Sequence, residues 1–382
     1  MATLPDDIFF TQNYSLDVQE YQSPPTSVAG AKKTHALKLS VTTIEFSMFR
    51  LAVAVAKSIL TRDPKDIDII KEVRAAFYVL DSMVSSTNGN LRACTGFRKK
   101  YRDFSKTSRT GELAQALTFI LAQEHLDYPV VVDFDGFLDS QGIRAMDSDQ
   151  KAPDFALLLR NGSMQPSLIE SKGACPPKAS LAPKGKFREA LEQCDIADLH
   201  IATHAGRSYR ARNLFGTFAR ISEAGDAWDS VICYCDPSAD ATEGMEFPIS
   251  AVQRYFAAWL TLSGHLELAA ALDRGQLRPD VVRNWRTERV DGVEFSIPSD
   301  HQGKQINLFT PFLAFRSPNA LGSHRRMSWA VRTDLIQAIA QNDVEGVSQL
   351  LAQTAAPRTD LEKRIAYFSD HTLCFMPRLE NS

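Results

Sequence analysis

Apolar positions between residues 42 and 84 recur at helical spacing. They form two stripes, which predict two helices separated by Asp63-Pro64. The first stripe is Ile44, Met48, Leu51, Val55 and Ile59, and the second is Ile69, Val73, Phe77, Leu80 and Val84. We therefore expect a helical subdomain over residues 41–95 that packs on the remainder of the chain or mediates dimerisation. Residues 1–40 are polar and lack such a period, which is typical of an N-terminal arm.

The centre of the chain alternates helical patterns with short apolar runs. We predict a helix from about Thr110 to Leu126, a strand from Tyr128 to Phe137, a helix from Lys186 to Leu199 and a strand from Asp229 to Cys235. Between the first strand and the second helix, residues 155–160 and 167–169 flank Asn161-Gly162 and have the composition of a hairpin. Asp154 then falls opposite a position between roughly 169 and 173 on the returning strand.

The pattern changes after Pro237. It predicts a helix through Val252 to Ala271, a strand-rich piece around Val293 to Phe315 and a helix pair from Asp334 to Leu351. The helix pair slightly resembles one ankyrin unit, but one unit cannot form a repeat array, so we favour an ordinary helix-turn-helix packing element. Residues 237–382 are therefore interpreted as an accessory or assembly domain.

The hairpin carries three polar residues that converge. Glu170 and Lys172 are two positions apart on a strand, so they leave the same face, and Asp154 faces them from the other strand. Mg²⁺ prefers oxygen ligands, and two carboxylates with water and a phosphate oxygen suffice to hold it or Mn²⁺. A bound metal would activate a water that Lys172 orients. The alternative is a surface hairpin with a salt bridge, although residues 152–159 are apolar enough to be buried, where an aspartate needs a partner.

Pro153, Asp154, Glu170 and Lys172 together resemble the motif of the PD-(D/E)xK nuclease superfamily. The resemblance covers roughly residues 108 to 236 and implies an α/β fold with a restriction-endonuclease-like core. That core is a helix, three strands, a helix and a fourth strand (αβββαβ), a mixed sheet flanked by helices. It would occupy residues 96–236, with helical N-terminal and mixed α+β C-terminal additions.

The same resemblance implies auxiliary residues on the two helices. Glu112 matches the position of an extra metal ligand, although an acidic residue in a first turn also complements the helix dipole without any function. Lys186 and Gln193 are seven residues apart on one helix face and are the candidates on the second helix. Gln193 has the alternative of being a solvated helix residue.

Composition limits the class of protein. A chain of 382 residues with 44% hydrophobic content suits a soluble globular protein of two or three domains. Six dispersed cysteines and an acidic N-terminus without an apolar segment favour the cytoplasm. The longest apolar segment, Met48 to Leu60, contains Arg50 and Lys57 and is too short to cross a membrane.

The net charge of −3 is a mild objection to nucleic-acid binding, but positive charge is locally concentrated. Three basic groups surround the predicted metal site: Arg98, Lys99, Lys100, Arg102 and Lys106; Lys184 and Lys186; Arg207, Arg210 and Arg212. Basic runs are more often solvated surface than binding patches. Three groups beside one site, with aromatic residues interleaved in the first, favour a phosphate-lined cleft.

These observations predict a cytoplasmic, Mg²⁺-dependent endonuclease that hydrolyses DNA. Chains of this size with accessory domains resemble bacterial restriction or anti-phage defence effectors, which implies a homodimer and a partner protein in a defence complex. Two alternatives stay open. The aromatic and basic residues from Phe97 to Phe104 suggest a nuclease for RNA or single strands. The other alternative is a protein with a nuclease fold that binds nucleic acid or a partner without cleaving.

Overall fold

A computed structural model describes residues 12–22, 38–59, 83–147, 150–179, 184–206, 208–236, 244–299, 328–353, 355–360 and 362–375. The helices are α1 (Met48–Ile59), α2 (Phe97–Lys100), α3 (Asp103–Glu124), α4 (Phe134–Ser140), α5 (Lys184–His204), α6 (Ser250–Leu262), α7 (Leu266–Asp273), α8 (Pro279–Arg283), α9 (Thr333–Gln341) and α10 (Val344–Leu351).

The strands fall into two sheets. They are β1 (Asn13–Gln22), β2 (Lys38–Ser47), β3 (Val84–Thr87), β4 (Asn90–Ala93), β5 (Val130–Asp133), β6 (Phe155–Leu158), β7 (Ser167–Ala174), β8 (Leu214–Arg220), β9 (Val231–Asp236), β10 (Arg286–Val290), β11 (Val293–Ile297), β12 (Ser328–Arg332), β13 (Arg358–Asp360), β14 (Ile365–Tyr367) and β15 (Thr372–Phe375). The larger sheet has the order β3-β4-β1-β9-β8-β7-β6-β5, with β2 beside β1.

The larger sheet is mixed and flanked by helices. Strand β6 pairs antiparallel with both β5 and β7, β8 runs parallel to β7, and β9 runs antiparallel to β8. Along the chain, the order around the hairpin is α3, β5, α4, β6, β7, α5 and β8. The predicted hairpin and the predicted helices on either side of it are confirmed, and the coarse α/β class with a mixed sheet is confirmed with them.

Two strands of this region differ from the prediction. The strand predicted from Tyr128 to Phe137 ends at Asp133, whose carboxylate accepts a hydrogen bond from the Gly136 backbone amide at 2.8 Å and caps α4. The strand that follows α5 and pairs with β7 is β8, which the sequence analysis missed. The segment predicted as the last strand is β9, one place further out in the sheet.

The N-terminal region also differs from the prediction. Residues 13–22, predicted as part of an arm, form β1 between β2 and β9. Tyr14, Leu16 and Val18 are buried at every second position, which is the period of a strand with one face in the core. The first predicted helix begins only at Met48, because residues up to Ser47 belong to β2. The second predicted helix falls largely on residues 60–82, which lie outside the described residues.

The second sheet has the order β10-β11-β12-β15-β14-β13. The predicted C-terminal helix pair is confirmed as α9 and α10, whereas the helix predicted over residues 252–271 is interrupted between α6 and α7, where Gly264 has a φ of 89°. Of the strand-rich piece predicted to Phe315, residues 300–315 lie outside the described residues. Phe49 of α1 lies 6.1 Å from Trp329 of β12 between ring centroids, so the two sheets share one apolar core.

A buried ion pair joins the N-terminal helix to the C-terminal sheet. Lys57 Nζ lies 3.3 Å from Asp370 Oδ2, and Trp259 Nε1 donates to the same oxygen at 2.7 Å. Burial lowers the pKa of Lys57 well below its usual value, and Asp370 opposes this shift. Burial alone would raise the pKa of Asp370, but Lys57, Thr372 and Tyr255 lower it overall.

Across the described ranges, no helix is both long and apolar enough to cross a membrane.

Candidate functional site

The β6–β7 hairpin sets the relative positions of the two candidate metal ligands. Phe155 pairs with Ile169 in antiparallel register. Asp154, the residue before β6, therefore lies opposite Glu170, one position further along β7. Lys172 follows on the same strand face as Glu170. The structure thus brings together the three residues that carry the sequence motif.

Both carboxylate oxygens of Asp154 have hydrogen-bond partners. Asp154 Oδ2 accepts from the Ser171 backbone amide at 2.8 Å and from Ser171 Oγ at 2.6 Å. Asp154 Oδ1 accepts from Gln115 Nε2 of α3 at 2.6 Å. These three bonds fix the carboxylate relative to β7 and to α3 at once.

Helix α3 reaches Asp154 because it crosses β7 at very short range. A Cβ atom at Gly173 would lie 2.6 Å from the Thr110 carbonyl oxygen and 2.7 Å from Ala114 Cβ, so the strand needs a glycine at this crossing. Gln115 comes directly after Ala114 and extends from this contact towards the start of β6.

Glu170 is the most perturbed group of the site. It is 4% exposed, its Oε1 forms an ion pair with Lys172 Nζ, and its Oε2 is buried without a hydrogen-bond partner. Burial, followed by the charge of Asp154, raises the pKa of Glu170 from 4.5 to about 8, and Lys172 opposes the shift. A cation that bound the unpartnered Oε2 would stabilise the charged form of this buried carboxylate.

Gln193 of α5 completes the group around Glu170. It is 5% exposed, and with its amide turned to satisfy both neighbours it donates to Glu170 Oε1 at 2.8 Å and accepts from Lys172 Nζ at 3.1 Å. The structure therefore brings Gln193 into the site, in agreement with its selection as the auxiliary residue on this helix. The solvated alternative for Gln193 is wrong, because the residue is buried.

Two other predicted residues have different partners. Glu112 accepts a hydrogen bond from Ser108 Oγ at 3.4 Å on its own helix. Lys186 forms an ion pair with Glu189 at 2.9 Å on the surface of α5. Gln115, three positions after Glu112 on α3, is the residue that contacts Asp154.

Sequence reasoning missed Gln115 and Ser171 as parts of the site. Gln115 is a polar residue between buried Ala114 and Ala116, and a polar side chain within an apolar run is the signal that would have indicated it. Ser171 stands between the two motif residues of β7, and nothing in the sequence indicated that it would bind Asp154.

The first predicted basic group divides into structural and exposed members. The Arg98 guanidinium forms ion pairs with Asp226 and Glu223 and donates to the Cys175 carbonyl oxygen at 3.2 Å, which holds α2 against the end of β7. Lys99, Lys100 and Arg102 are exposed, whereas Lys106 is half-buried. Arg98 therefore positions this surface, and its exposed neighbours present the positive charge.

Of the other two basic groups, the structure describes the side chains of Lys186, Arg210 and Arg212. Arg210 forms an ion pair with Asp198 at 2.6 Å, and Arg212 is half-buried. Arg207 and the side chain of Lys184 lie outside the described residues.

The donor set of the site suits a hard divalent cation. Asp154 and Glu170 supply carboxylate oxygens, and the buried Glu170 Oε2 is an acceptor in need of a positive partner. Over the described ranges, no group of three or more His, Cys, Asp or Glu side chains is placed to hold a metal ion. Asp154 and Glu170 are the two carboxylates that the hairpin offers to a cation, and Glu112 as a third ligand stays a prediction.

Comparison of this chain with protein-family models, with curated proteins and with solved structures gives no match in any of the three.

Proposed function

We propose that this protein is a metal-dependent endonuclease that hydrolyses DNA phosphodiester bonds at the hairpin of β6 and β7. One observation carries the proposal: Asp154 and Glu170 face each other beside Lys172, and Glu170 keeps a buried oxygen without a partner. A salt bridge of purely structural use would satisfy that oxygen or leave it in water. Along the chain, α3, β5, β6, β7, α5 and β8 follow one another in the order of the restriction-endonuclease-like core, with the short helix α4 inserted between β5 and β6.

Each residue of the group has a part that follows from its contacts. Asp154 and Glu170 would hold Mg²⁺ or Mn²⁺, which would supply a water of lowered pKa for attack on phosphorus. Lys172 lies beside Glu170 and would orient that water or stabilise negative charge on the phosphate. Gln193 holds Lys172 and Glu170 in position, and Gln115 and Ser171 hold Asp154.

A non-cleaving nucleic-acid-binding protein is the second candidate. Asp154 accepts three hydrogen bonds and Glu170 has a lysine partner. The two carboxylates therefore have polar partners within the protein, apart from one oxygen of Glu170, even without a metal. The exposed basic residues of α2 would serve such a protein equally well.

A panel of substrates distinguishes these candidates. The purified protein is incubated with supercoiled plasmid, linear duplex, single-stranded DNA and RNA, each with Mg²⁺, with Mn²⁺ and with EDTA. We expect nicking and linearisation of duplex DNA that requires the metal. Cleavage of RNA or single strands alone would reassign the substrate, and binding without any cleavage would favour the second candidate. The proposal also includes a bacterial defence role, a homodimer, a partner protein and a cytoplasmic location.

A further inference from the structure

Strand β2 forms one edge of the larger sheet. Its ten residues pair with β1, and among the strands that the structure describes no other strand pairs with β2. The end strands β3 and β5 of the same sheet have four residues each, and a short edge strand is a common protection against pairing with another chain. Within the described ranges, β2 is therefore the longest edge strand of this sheet.

The middle of β2 lacks the residues that usually protect such an edge. Residues 39–44 include neither a charged residue nor a proline, and both are common means of preventing edge-to-edge association. Residues 40–43 are exposed at four successive positions, so both faces of the strand are accessible there. Val41 is 52% exposed, so a large part of an apolar side chain faces solvent in the single chain. A second strand beside β2 would pair with this edge and contact Val41.

A β-bulge in β2 changes the face on which Lys38 lies. The pairing with β1 passes over Leu39, so that Lys38 lies opposite Tyr21, where an uninterrupted register would place Leu39. Without the bulge, the position of Lys38 would share the face of Ile44. With the bulge, the backbone position of Lys38 shares the face of Glu45. The two ends of β2 thus carry residues of opposite charge at positions on one face.

A second copy of β2 fits this edge with the opposite charges in register. In an antiparallel pair with a two-fold axis beside Thr42, Val41 comes opposite Thr43 of the second copy. Glu45 then comes opposite Lys38 of the second copy, with Leu39 passed over as it is in the pairing with β1. The symmetry produces this pair of charges twice, and opposite charges at directly opposed strand positions stabilise a sheet.

We propose that two copies of this chain associate through antiparallel pairing of their β2 strands, with Lys38 of each copy opposite Glu45 of the other. This pairing gives the homodimer of the proposed function an interface, and one continuous sheet then runs through both copies. The inference rests on the register and charges of β2 and not on the chemistry of the hairpin site. The interface and the nuclease assignment are therefore tested separately.

Sedimentation equilibrium of the full chain measures the dissociation constant of the dimer. Glu45→Lys places a lysine opposite Lys38 at both ends of the contact, and Lys38→Glu places a glutamate opposite Glu45. Glu294→Lys makes the same change of charge at an exposed position of β11 in the second sheet and is the matched control. Melting curves monitor the fold of each variant.

We expect the wild type to dimerise with a Kd below about 100 µM. Each single charge reversal should raise this Kd about tenfold or more, because it creates two contacts between like charges. Glu294→Lys should dimerise as the wild type does.

The two charge reversals are complementary, because one variant supplies only lysines at the contact and the other supplies only glutamates. An equal mixture of the two should therefore form a heterodimer about as stable as the wild-type dimer. The double variant Lys38→Glu, Glu45→Lys should likewise dimerise again. This recovery separates pairing through β2 from a general effect of either substitution on the fold.

The proposal is overturned if the wild type stays monomeric up to about 100 µM, or if either charge reversal leaves the Kd unchanged. It is also overturned if the mixture or the double variant fails to recover the dimer. Plasmid nicking by the wild type is measured in a separate assay, so failure of the interface and failure of the nuclease assignment give different results.

Discussion

Gln115 Nε2 donates to Asp154 Oδ1 at 2.6 Å and so connects helix α3 to the β6–β7 hairpin. The contact is made where α3 crosses β7 over Gly173, so the backbone approach and the hydrogen bond support each other. The bond leaves Asp154 facing Glu170 in a fixed orientation. Gln115 is therefore a positioning residue for the proposed metal ligands.

Replacing Gln115 should affect activity more than replacing Glu112. Gln115→Ala frees Asp154 Oδ1, and loss of a group that orients a metal ligand typically lowers metal affinity or activity by about 10- to 100-fold. Glu112→Ala removes a side chain whose described hydrogen bond is to Ser108, so we expect activity close to the wild type. Rates of plasmid nicking across a Mg²⁺ titration measure both. A larger loss in Glu112→Ala would restore Glu112 as the third ligand.

The sequence was informative where local chemistry determines the structure. The turn at Asn161-Gly162, which has φ values of 54° and 78°, defines the hairpin, and the period of two places Glu170 and Lys172 on one face. The sequence was uninformative where a residue's contacts come from segments far away along the chain. Strand β8 lies within a stretch that we interpreted from its arginines, yet Phe215 and Phe218 are buried between neighbouring elements. Likewise, Gln115 and Asp154 are 39 residues apart, and only the folded chain brings them together.

The stability of the metal-free protein should fall as pH rises from about 5 to about 8. The folded protein keeps a proton on Glu170 up to a pKa of about 8, whereas the unfolded carboxyl loses it near 4.5. Between these two pKa values the folded state binds more protons than the unfolded state does. The free energy of unfolding therefore decreases as the pH rises, and it levels off above the folded-state pKa.

Urea unfolding in EDTA at pH 5.5, 7 and 8.5 measures this dependence, with Glu170→Gln as the comparison. The wild type should lose stability across the series by more than the variant does, because glutamine has no proton to lose. Parallel profiles for the two proteins would show that Glu170 titrates normally.

The ion pair of Lys57 and Asp370 should be essential for the fold. Asp370→Ala leaves the lysine buried without its partner, which costs roughly 3–5 kcal/mol in other proteins, and it also removes the acceptor for Trp259. Asp291 is a matched control, since it binds Arg358, Lys363 and Tyr367 at an exposed position, and Asp291→Ala should change stability little. Urea midpoints measure both variants. Equal midpoints would contradict the structural role of the buried pair.

The exposed lysines of α2 should contact phosphates. The double variant Lys99→Ala, Lys100→Ala should weaken duplex binding and reduce the slope of log K against log salt by about 2, since each contact contributes about 0.9. Arg278→Ala with Arg283→Ala removes the same charge from the residue before α8 and the last residue of α8, and should leave the slope unchanged. Fluorescence anisotropy of labelled duplex DNA, at salt concentrations from about 50 to about 200 mM, measures the slope for each variant. An unchanged slope in the α2 variant would place the nucleic acid elsewhere.

Plasmid nicking by Asp154→Ala and Lys172→Ala tests most directly whether Asp154, Glu170 and Lys172 form a metal-dependent nuclease site. The wild type should nick supercoiled plasmid with Mg²⁺ or Mn²⁺ and not with EDTA. Both variants should lose about 100-fold or more of this activity, as expected when groups that stabilise a transition state are removed, while they melt as cooperatively as the wild type and still bind DNA. Nicking that persists in the folded variants would contradict the assignment of the site.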